Sequence, residues 1–247
     1  MNKTILYTIL THFVVSISGG CRHDVTCELA NYAGWDREAR QEMHDEIIHS
    51  DLSNADKGNA MLGLASRYAE TALGLSDTIA QLLPARERLL YESERQAYGQ
   101  WREWQETISL DLIGDIWDLW YGGSALGSFQ TMHIYQIEDQ NLEDNLALFR
   151  LLCGSPAHKV IEEEVSLSQV KEEADKLLLD VTDKEYHDRM AEMIMKDLNL
   201  LQNWIAARDA FSKNLPLKKR KEYEKQTNSR LQLCRAQYGC GFCYEAR

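Results

Sequence analysis

The sequence predicts an all-α protein, an antiparallel bundle or bundles of long helices with disulfide-tethered termini. Only three prolines interrupt the 247 residues. After residue 35, apolar residues recur at three- and four-residue steps, which indicates amphipathic helices. The apolar–polar alternation typical of strands is nearly absent. A hydrophobic content of 44% and a charged content of 27% are ordinary for a globular protein and argue against disorder.

The first twenty residues have the pattern of an export signal. Lys3 supplies a short positive segment, residues 5–17 are mainly apolar, and residues 16–20 offer small residues for cleavage. The apolar run is too short to span a bilayer. We therefore predict a signal peptide over residues 1–20 and an exported protein, in the periplasm, at the cell surface or secreted. An ordinary buried first helix is the alternative.

The cysteines are concentrated at the two ends of the chain. In an exported protein an even number of cysteines predicts disulfides, and here the expected bridges tie the termini onto the helical body, with the pairing left open. If the first cysteine, which follows two glycines, carries the lipid of a bacterial lipoprotein, one of the others is unpaired; Ser18 stands where lipoproteins usually have Leu. The candidates are Cys21, Cys27, Cys153, Cys234, Cys240 and Cys243.

Start signals precede the expected helices. Asn54 or Asp56 is expected to cap the helix that contains Tyr68. The pairs Ser166 with Gln169 and Thr182 with Glu185 have the spacing of a capping box. Pro216 is expected in the first turn of the last helix, since proline is favoured there.

Irregular stretches separate these helices. Residues 120–128 are rich in glycine and predict a loop, whereas residues 128–137 are interpreted as helix because a helical pattern continues beyond them. Residues 153–159 combine Gly, Ser and Pro and mark the best boundary. We predict a first helical module over residues 21–152 and a second, divergent module with a cysteine-rich C-terminus over residues 160–247.

Each half contains a helical phrase in which an aromatic residue precedes Arg by four positions and an acidic residue follows. Because a guanidinium stays charged, burying it requires a carboxylate, carbonyl groups or an aromatic face. A structural brace is favoured over ligand binding. The two phrases reflect either an ancient duplication or a coincidence between two amphipathic helices. The brace residues are Arg102, Arg208, Tyr98, Trp101, Trp204, Glu103 and Asp209.

No motif in the chain identifies an enzyme mechanism. Cys240 and Cys243 have the spacing of thiol oxidoreductases, but no βαβ pattern surrounds them, so a structural disulfide is favoured. A zinc site with Cys234 would lack an adjacent histidine. His44 and His49 are five residues apart, the wrong spacing for two ligands on one helix face. We predict no catalytic residue, no metal and no cofactor.

One of the phrases resembles a known family. Residues 94–103, ERQAYGQWRE, are similar to a helix of the LprI-type, lysozyme-inhibitor-like family, and Gly122–Ser124 resemble its downstream loop. Residues 200–211 are similar again. The family's cysteine just after Arg-Asp is missing in both places, although Cys234 is a candidate for its later cysteine. The matching positions are Arg95, Ala97, Tyr98, Trp101, Arg102 and Glu103 in the first copy and Trp204, Arg208 and Asp209 in the second.

The resemblance implies an exported helical bundle with one copy over residues 60–150 and a more divergent copy over residues 165–238. It also implies binding of a lysozyme-like protein. The formal net charge of −12 repels nucleic acid and anionic membranes and attracts a basic partner, although acidity that serves only solubility is the commoner case.

We therefore expect a protein-binding module and not an enzyme. The expected partner is a protein, with a basic cell-wall hydrolase as the leading candidate. We expect no nucleic-acid partner and membrane attachment only through lipidation of Cys21. The alternatives are an envelope lipoprotein of structural role and, less favoured, a thiol oxidoreductase that uses Cys240 and Cys243.

Overall fold

The computed structural model describes residues 27, 29–120, 126–154 and 165–216, together with the helical residues 219, 220, 223, 231, 232, 235, 236 and 238. Over these residues the regular structure is helical, without strands, which confirms the all-α class. A 3₁₀ helix (Leu29–Trp35) comes first, and a π-helical segment (Ile108–Leu112) joins α3 to α4. The α-helices are α1 (Arg37–Ile48), α2 (Asn54–Leu82), α3 (Ala85–Thr107), α4 (Ile113–Trp120), α5 (Leu126–Leu152), α6 (Leu167–Leu179) and α7 (Lys184–Ser212).

The helix starts follow the expected cap chemistry, shifted by a residue or more in two cases. Ser166 and Gln169 form the predicted capping box of α6. The predictions for α2 and α7 were wrong in the capping residue. Ser53 caps α2, because its hydroxyl accepts from the Asp56 backbone N–H. Asp183 caps α7 and accepts from two backbone N–H groups, those of Glu185 and Tyr186, so a carboxylate takes the position expected for Thr182.

The described residues at both ends of the predicted loop over residues 120–128 lie in helices instead. Helix α4 includes Trp120 and α5 begins at Leu126; the residues between them, which include Gly122–Ser124, lie outside the described structure. Residues 128–137 are helical, as predicted. At the other end of α5, Cys153 and Gly154 form a turn in which Gly154 has φ +80°. This left-handed conformation favours glycine and ends the helix.

Helix α3 runs antiparallel to α5. Near the start of α3, the Tyr91 hydroxyl donates to Asn145 at 3.1 Å. Near its end, the Arg102 guanidinium binds Glu138. The residue numbers rise along α3 as they fall along α5. Helix α2 contacts α5 along most of its length and runs parallel to it: Gly58 lies beside Thr131, and the rings of Tyr68 and Tyr135 are 5.8 Å apart between centroids.

Helix α7 is also antiparallel to α3. The rings of Tyr91 and Phe211 are 5.4 Å apart between centroids, whereas the Trp104 indole lies beside the backbone of Met193. Helices of the two predicted modules therefore pack closely against each other, and the module boundary stays a prediction.

The apolar side chains form two buried clusters. The first cluster joins the second half of α3 and the π-helical segment to α6 and to most of α7, and it includes Trp101, Trp204, Ile108 and Leu201. The second joins α2 to α5 and the end of α7; it includes Tyr68, Leu75, Phe149, Phe211 and Tyr223. Between the clusters lie polar side chains, which are described below.

A disulfide ties the N-terminal segment to the body of the bundle. It joins Cys27 to Cys153, at the end of α5, with 5.6 Å between the Cα atoms. This confirms a bridge from a terminal segment to the helical body. Cys21, Cys234, Cys240 and Cys243 lie outside the described residues. No helix in the described part of the chain is long and apolar enough to cross a membrane.

Candidate functional site

The structure brings the aromatic residues of the two phrases together at the α3–α7 contact. Trp101 and Trp204 are buried and stacked, with centroids 6.4 Å apart and an angle of 24° between the rings. Tyr98 is also buried and its centroid is 6.0 Å from that of Trp101. These rings form the centre of the first apolar cluster. The predicted phrases are therefore neighbours in space.

Arg102 is half-buried and binds two carboxylates. Its Nε donates to Oε1 of Glu138 at 2.7 Å, and Nη1 donates to Oε1 of Glu106 at 2.8 Å. Burial alone would lower the pKa of Arg102, but the two carboxylates raise it overall. Glu103, the acidic residue of the phrase, is exposed. Arg102 thus links α3 to α5 through a residue 36 positions away in sequence.

Arg208 is almost fully enclosed, with 3% of its surface exposed. Its Nη1 lies 3.9 Å from Oε1 of Glu94 and 3.8 Å from Oδ2 of Asp144. The guanidinium carbon is 4.2 Å from the ring centroid of Tyr223 and 5.1 Å from that of Trp204, a cation–π arrangement. Asp209, the acidic residue of the phrase, is exposed. The buried cation is thus held by two aromatic faces and two carboxylates from other helices.

The partners of these arginines come mainly from one acidic stretch of α5. Four carboxylates, Glu138, Asp139, Glu143 and Asp144, lie within seven residues of sequence, and we call them the α5 carboxylates. Arg40 of α1 binds Asp139 at 2.7 Å and Glu143 at 2.6 Å. Together with Arg102 and Arg208, it connects α1, α3 and α7 to the same helix.

Sequence reasoning missed the α5 carboxylates, because it related the acidity of the chain to solubility and to the attraction of a basic partner. A signal was available: the 27 residues of α5 contain no acidic residue outside this stretch, and apolar residues precede and follow it. Carboxylates on such a helix need cationic partners when they are buried. That they attract three arginines from three helices was not visible in the local pattern.

Amides and hydroxyls continue this polar layer between the two apolar clusters. Tyr91 bonds Ser76 at 2.7 Å as well as Asn145. Asn145 donates to the side chain of Asn141, which also accepts from Arg95 at 3.2 Å. Burial raises the pKa of Tyr91 to about 12, so its hydroxyl stays protonated. The layer joins α2, α3 and α5 by hydrogen bonds.

A second buried polar group lies where α3 meets the π-helical segment. Gln105 donates to Asp197, and Tyr238 donates to the other oxygen of the same carboxylate. On its other side, Gln105 lies 3.2 Å from Nε2 of His133. All four side chains are buried, and we call them the Asp197 cluster. Burial raises the pKa of Asp197 to about 6 and lowers that of His133 to about 4.

These two shifts have opposite consequences for stability. The pKa of Asp197 rises on folding from its ordinary value of 3.8 to about 6. Its contribution to the free energy of unfolding is therefore greatest below pH 3.8 and is lost as pH rises through 6. The ordinary pKa of 6.5 for His133 falls on folding, so its contribution is present above pH 6.5 and is lost as pH falls through 4. Over its full pH range, each shift changes the free energy of unfolding by about 3 kcal/mol. Because the two changes have opposite signs and overlap in pH, they largely cancel in the wild type.

Single substitutions are expected to remove this cancellation. Relative to the wild type, Asp197→Asn loses about 2 kcal/mol more stability between pH 6.5 and pH 4, because the compensating gain from Asp197 is absent and only His133 then titrates. His133→Gln gains stability over the same interval, because only Asp197 then titrates. Urea unfolding at a series of pH values measures both. Parallel pH profiles of the three proteins would contradict the assignment.

The exposed surface of α1 is acidic. Glu38, Glu42 and Glu46 are exposed and recur at four-residue spacing, and Asp45 lies beside them. A shallow, open depression runs along this face. The hydrogen bond from His44, followed by that from Gln41, lowers the pKa of Asp45, which therefore stays ionised. We call Glu38, Glu42, Asp45 and Glu46 the α1 acidic face.

The predicted histidines also lie on α1 and at its end. His44 is 3.1 Å from Asp45, and Nδ1 of His49 is 2.9 Å from the Asp45 carbonyl oxygen. Over the residues with described positions, no group of three or more His, Cys, Asp or Glu side chains has an arrangement suited to a metal ion. Comparison with protein-family models, curated proteins and solved structures yields no match for this chain.

Proposed function

We propose that this chain is an exported protein-binding module that uses its α1 acidic face to bind a basic protein, with a lysozyme-like cell-wall hydrolase as the partner. The observation that carries the proposal is the row of exposed carboxylates Glu38, Glu42 and Glu46 in a chain of net charge −12. Such a row raises the association rate of a cationic partner and orients it during encounter.

The contrast with the interior supports the choice of this face. The α5 carboxylates are occupied by Arg40, Arg102 and Arg208, so they are not available to a partner. The carboxylates of the α1 acidic face are accessible from solvent. Ion pairs that a partner forms with this surface are exposed to solvent, so salt screens them. We therefore expect binding to weaken strongly as salt is added.

Two features support export. The disulfide between Cys27 and Cys153 is of a kind that persists in oxidising compartments, and residues 1–20 have the pattern of a signal peptide. The resemblance of residues 94–103 to the LprI-type family is the reason for choosing a lysozyme-like partner. An envelope lipoprotein acylated on Cys21 remains the alternative.

Charge reversal on α1 tests the proposal. The triple variant Glu38→Lys, Glu42→Lys, Glu46→Lys is expected to bind a basic lysozyme at least about tenfold more weakly at low salt, since each reversal replaces attraction by repulsion. Biolayer interferometry measures the affinity, and an assay of cell-wall lysis measures the inhibition.

A matched variant separates the face from the net charge. Glu92, Glu103 and Glu192 are exposed on α3 and α7, and their replacement by lysine changes the net charge by the same amount. This control is expected to retain most of the affinity. Equal losses in both variants would contradict the assignment to α1, and no binding by the wild type at low salt would contradict the proposed partner.

A further inference from the structure

Helix α2 exposes two copies of the same pair of residues. Leu62 and Gly63 are followed eleven residues later by Leu73 and Gly74, and all four are exposed. Leu62 is 41% exposed and Leu73 is 59% exposed. Eleven residues are close to three turns of a helix, so the two pairs lie on the same face. Isolated exposed leucines are ordinary, but a repeated leucine–glycine pair on one face is not.

The two glycines are not required by the packing of this chain. A Cβ atom added at Gly63 or Gly74 would meet nothing within 4 Å. Glycine in the middle of a helix costs about 1 kcal/mol relative to alanine. The internal structure therefore gives no reason for either glycine. What glycine permits at an exposed position is the close approach of another backbone.

The pattern is complementary to itself in the antiparallel direction. If two α2 helices cross near residue 68, Leu62 of one copy meets Leu73 of the other, and Gly63 meets Gly74. The polar residues of the same face match in this register. Ser66 comes opposite Glu70 and Asn59 opposite Asp77, and all four are exposed. Asn59 thus offers a neutral donor to a carboxylate, the stronger kind of hydrogen bond. Ser66 donates to the Leu62 carbonyl oxygen at 3.0 Å within its own helix, so its hydroxyl rotates to reach Glu70 in the pair.

We propose that the exposed face of α2 (Asn59, Leu62, Gly63, Ser66, Glu70, Leu73, Gly74 and Asp77) binds a second copy of this chain in a two-fold symmetric, antiparallel helix pair. A two-fold interface requires a patch that is complementary to itself, and this face meets that requirement residue by residue. One helix crossing forms a small interface, so the dimer is weak, with a dissociation constant on the order of micromolar.

Salt distinguishes this interface from the proposed binding of a basic partner. Both copies are acidic, so their general repulsion opposes association, and added salt screens it. The dimer therefore becomes tighter with salt, whereas binding at the α1 acidic face becomes weaker. Either proposal can fail without the other.

Sedimentation equilibrium of the purified protein over a range of concentrations tests the dimer. The double variant Leu62→Glu, Leu73→Glu is expected to weaken association at least about tenfold, because it places charge at the apolar contacts. Leu89→Glu, Leu179→Glu is the matched control, since these leucines are 68% and 81% exposed outside the face. A wild type that stays monomeric at about 1 mM, or a dimer that responds equally to both variants, would overturn the proposal.

The direction of the helices is tested by mixing two single variants. In the antiparallel pair, Leu62→Glu in one chain meets Leu73→Lys in the other, so the mixture forms heterodimers more readily than either variant alone forms homodimers. A mixture of Leu62→Glu with Leu62→Lys is the control for direction. It gives no gain in the antiparallel pair, because each charge then meets Leu73, whereas a parallel pair would join the opposite charges and favour the heterodimer. The double variant Gly63→Ala, Gly74→Ala adds a second check. It is expected to raise the thermal stability of the monomer and to weaken the dimer, and an unchanged dimer would contradict close approach at the glycines.

Discussion

Replacing Arg208 with alanine is expected to lower the free energy of unfolding by about 3–5 kcal/mol. The guanidinium lies between the carboxylates of Glu94 and Asp144 and the rings of Trp204 and Tyr223. Its removal leaves two buried acids without their cation and opens a cavity beside the aromatic rings. Both effects destabilise the native state. Urea unfolding monitored by circular dichroism measures the change.

The neighbouring acid provides the control for this prediction. Asp209→Ala is expected to change stability by less than about 0.5 kcal/mol, because Asp209 is exposed. Arg208→Lys keeps the charge but loses the planar group that stacks on Tyr223, so an intermediate loss is expected. If Arg208→Ala does not fold, the lysine variant still reports on the site. Equal costs for Arg208→Ala and Asp209→Ala would contradict the buried brace.

Removing the disulfide is expected to lower the free energy of unfolding by about 4 kcal/mol. The bridge closes a loop between residues that are 126 positions apart, and the chain-entropy model assigns a large constraint on the unfolded state to a loop of this length. The double variant Cys27→Ser, Cys153→Ser tests this by urea unfolding. We expect the helical content at low denaturant to stay unchanged, because α2, α3, α5 and α7 are packed through their own side chains.

The other cysteines require a second measurement. Reduction of the wild type breaks every bridge, whereas the double variant removes only this one. If reduction costs more than the double substitution, further bridges contribute. A cost below about 1 kcal/mol for the double variant would show that the unfolded chain does not gain the expected freedom, and that the bridge adds little to the bundle.

Two features of the buried brace were within reach of sequence reasoning. Arg208 lies four residues after Trp204 and three before Phe211, so its stem had to follow the buried stripe of the helix. The need for aromatic or carboxylate partners followed from the permanent charge of arginine. The partners themselves did not follow. Glu94 and Asp144 belong to α3 and α5, and their choice depends on how three helices pack.

The acidic residue that follows each arginine in the sequence is exposed in the structure. Glu103 and Asp209 directly follow Arg102 and Arg208, and adjacent residues on a helix differ by about 100° in direction. When the arginine lies toward the bundle, its neighbour is turned toward solvent. Glu138 and Glu94 took the inner positions instead, because antiparallel packing of α3 against α5 and α7 brings them to the arginines.

By itself, the sequence determined the helical class, the long helices, the capping box at Ser166 and the presence of a cation on the buried stripe of α7. Each of these depends on residues within one or two turns, where spacing and side-chain chemistry act directly. Only the tertiary structure decided that Cys27 pairs with Cys153, that the α5 carboxylates receive three arginines, and that Asp197 is buried beside Gln105 and Tyr238. Those contacts join residues from about 35 to more than 120 positions apart, and they arise from helix packing, which local periodicity does not encode.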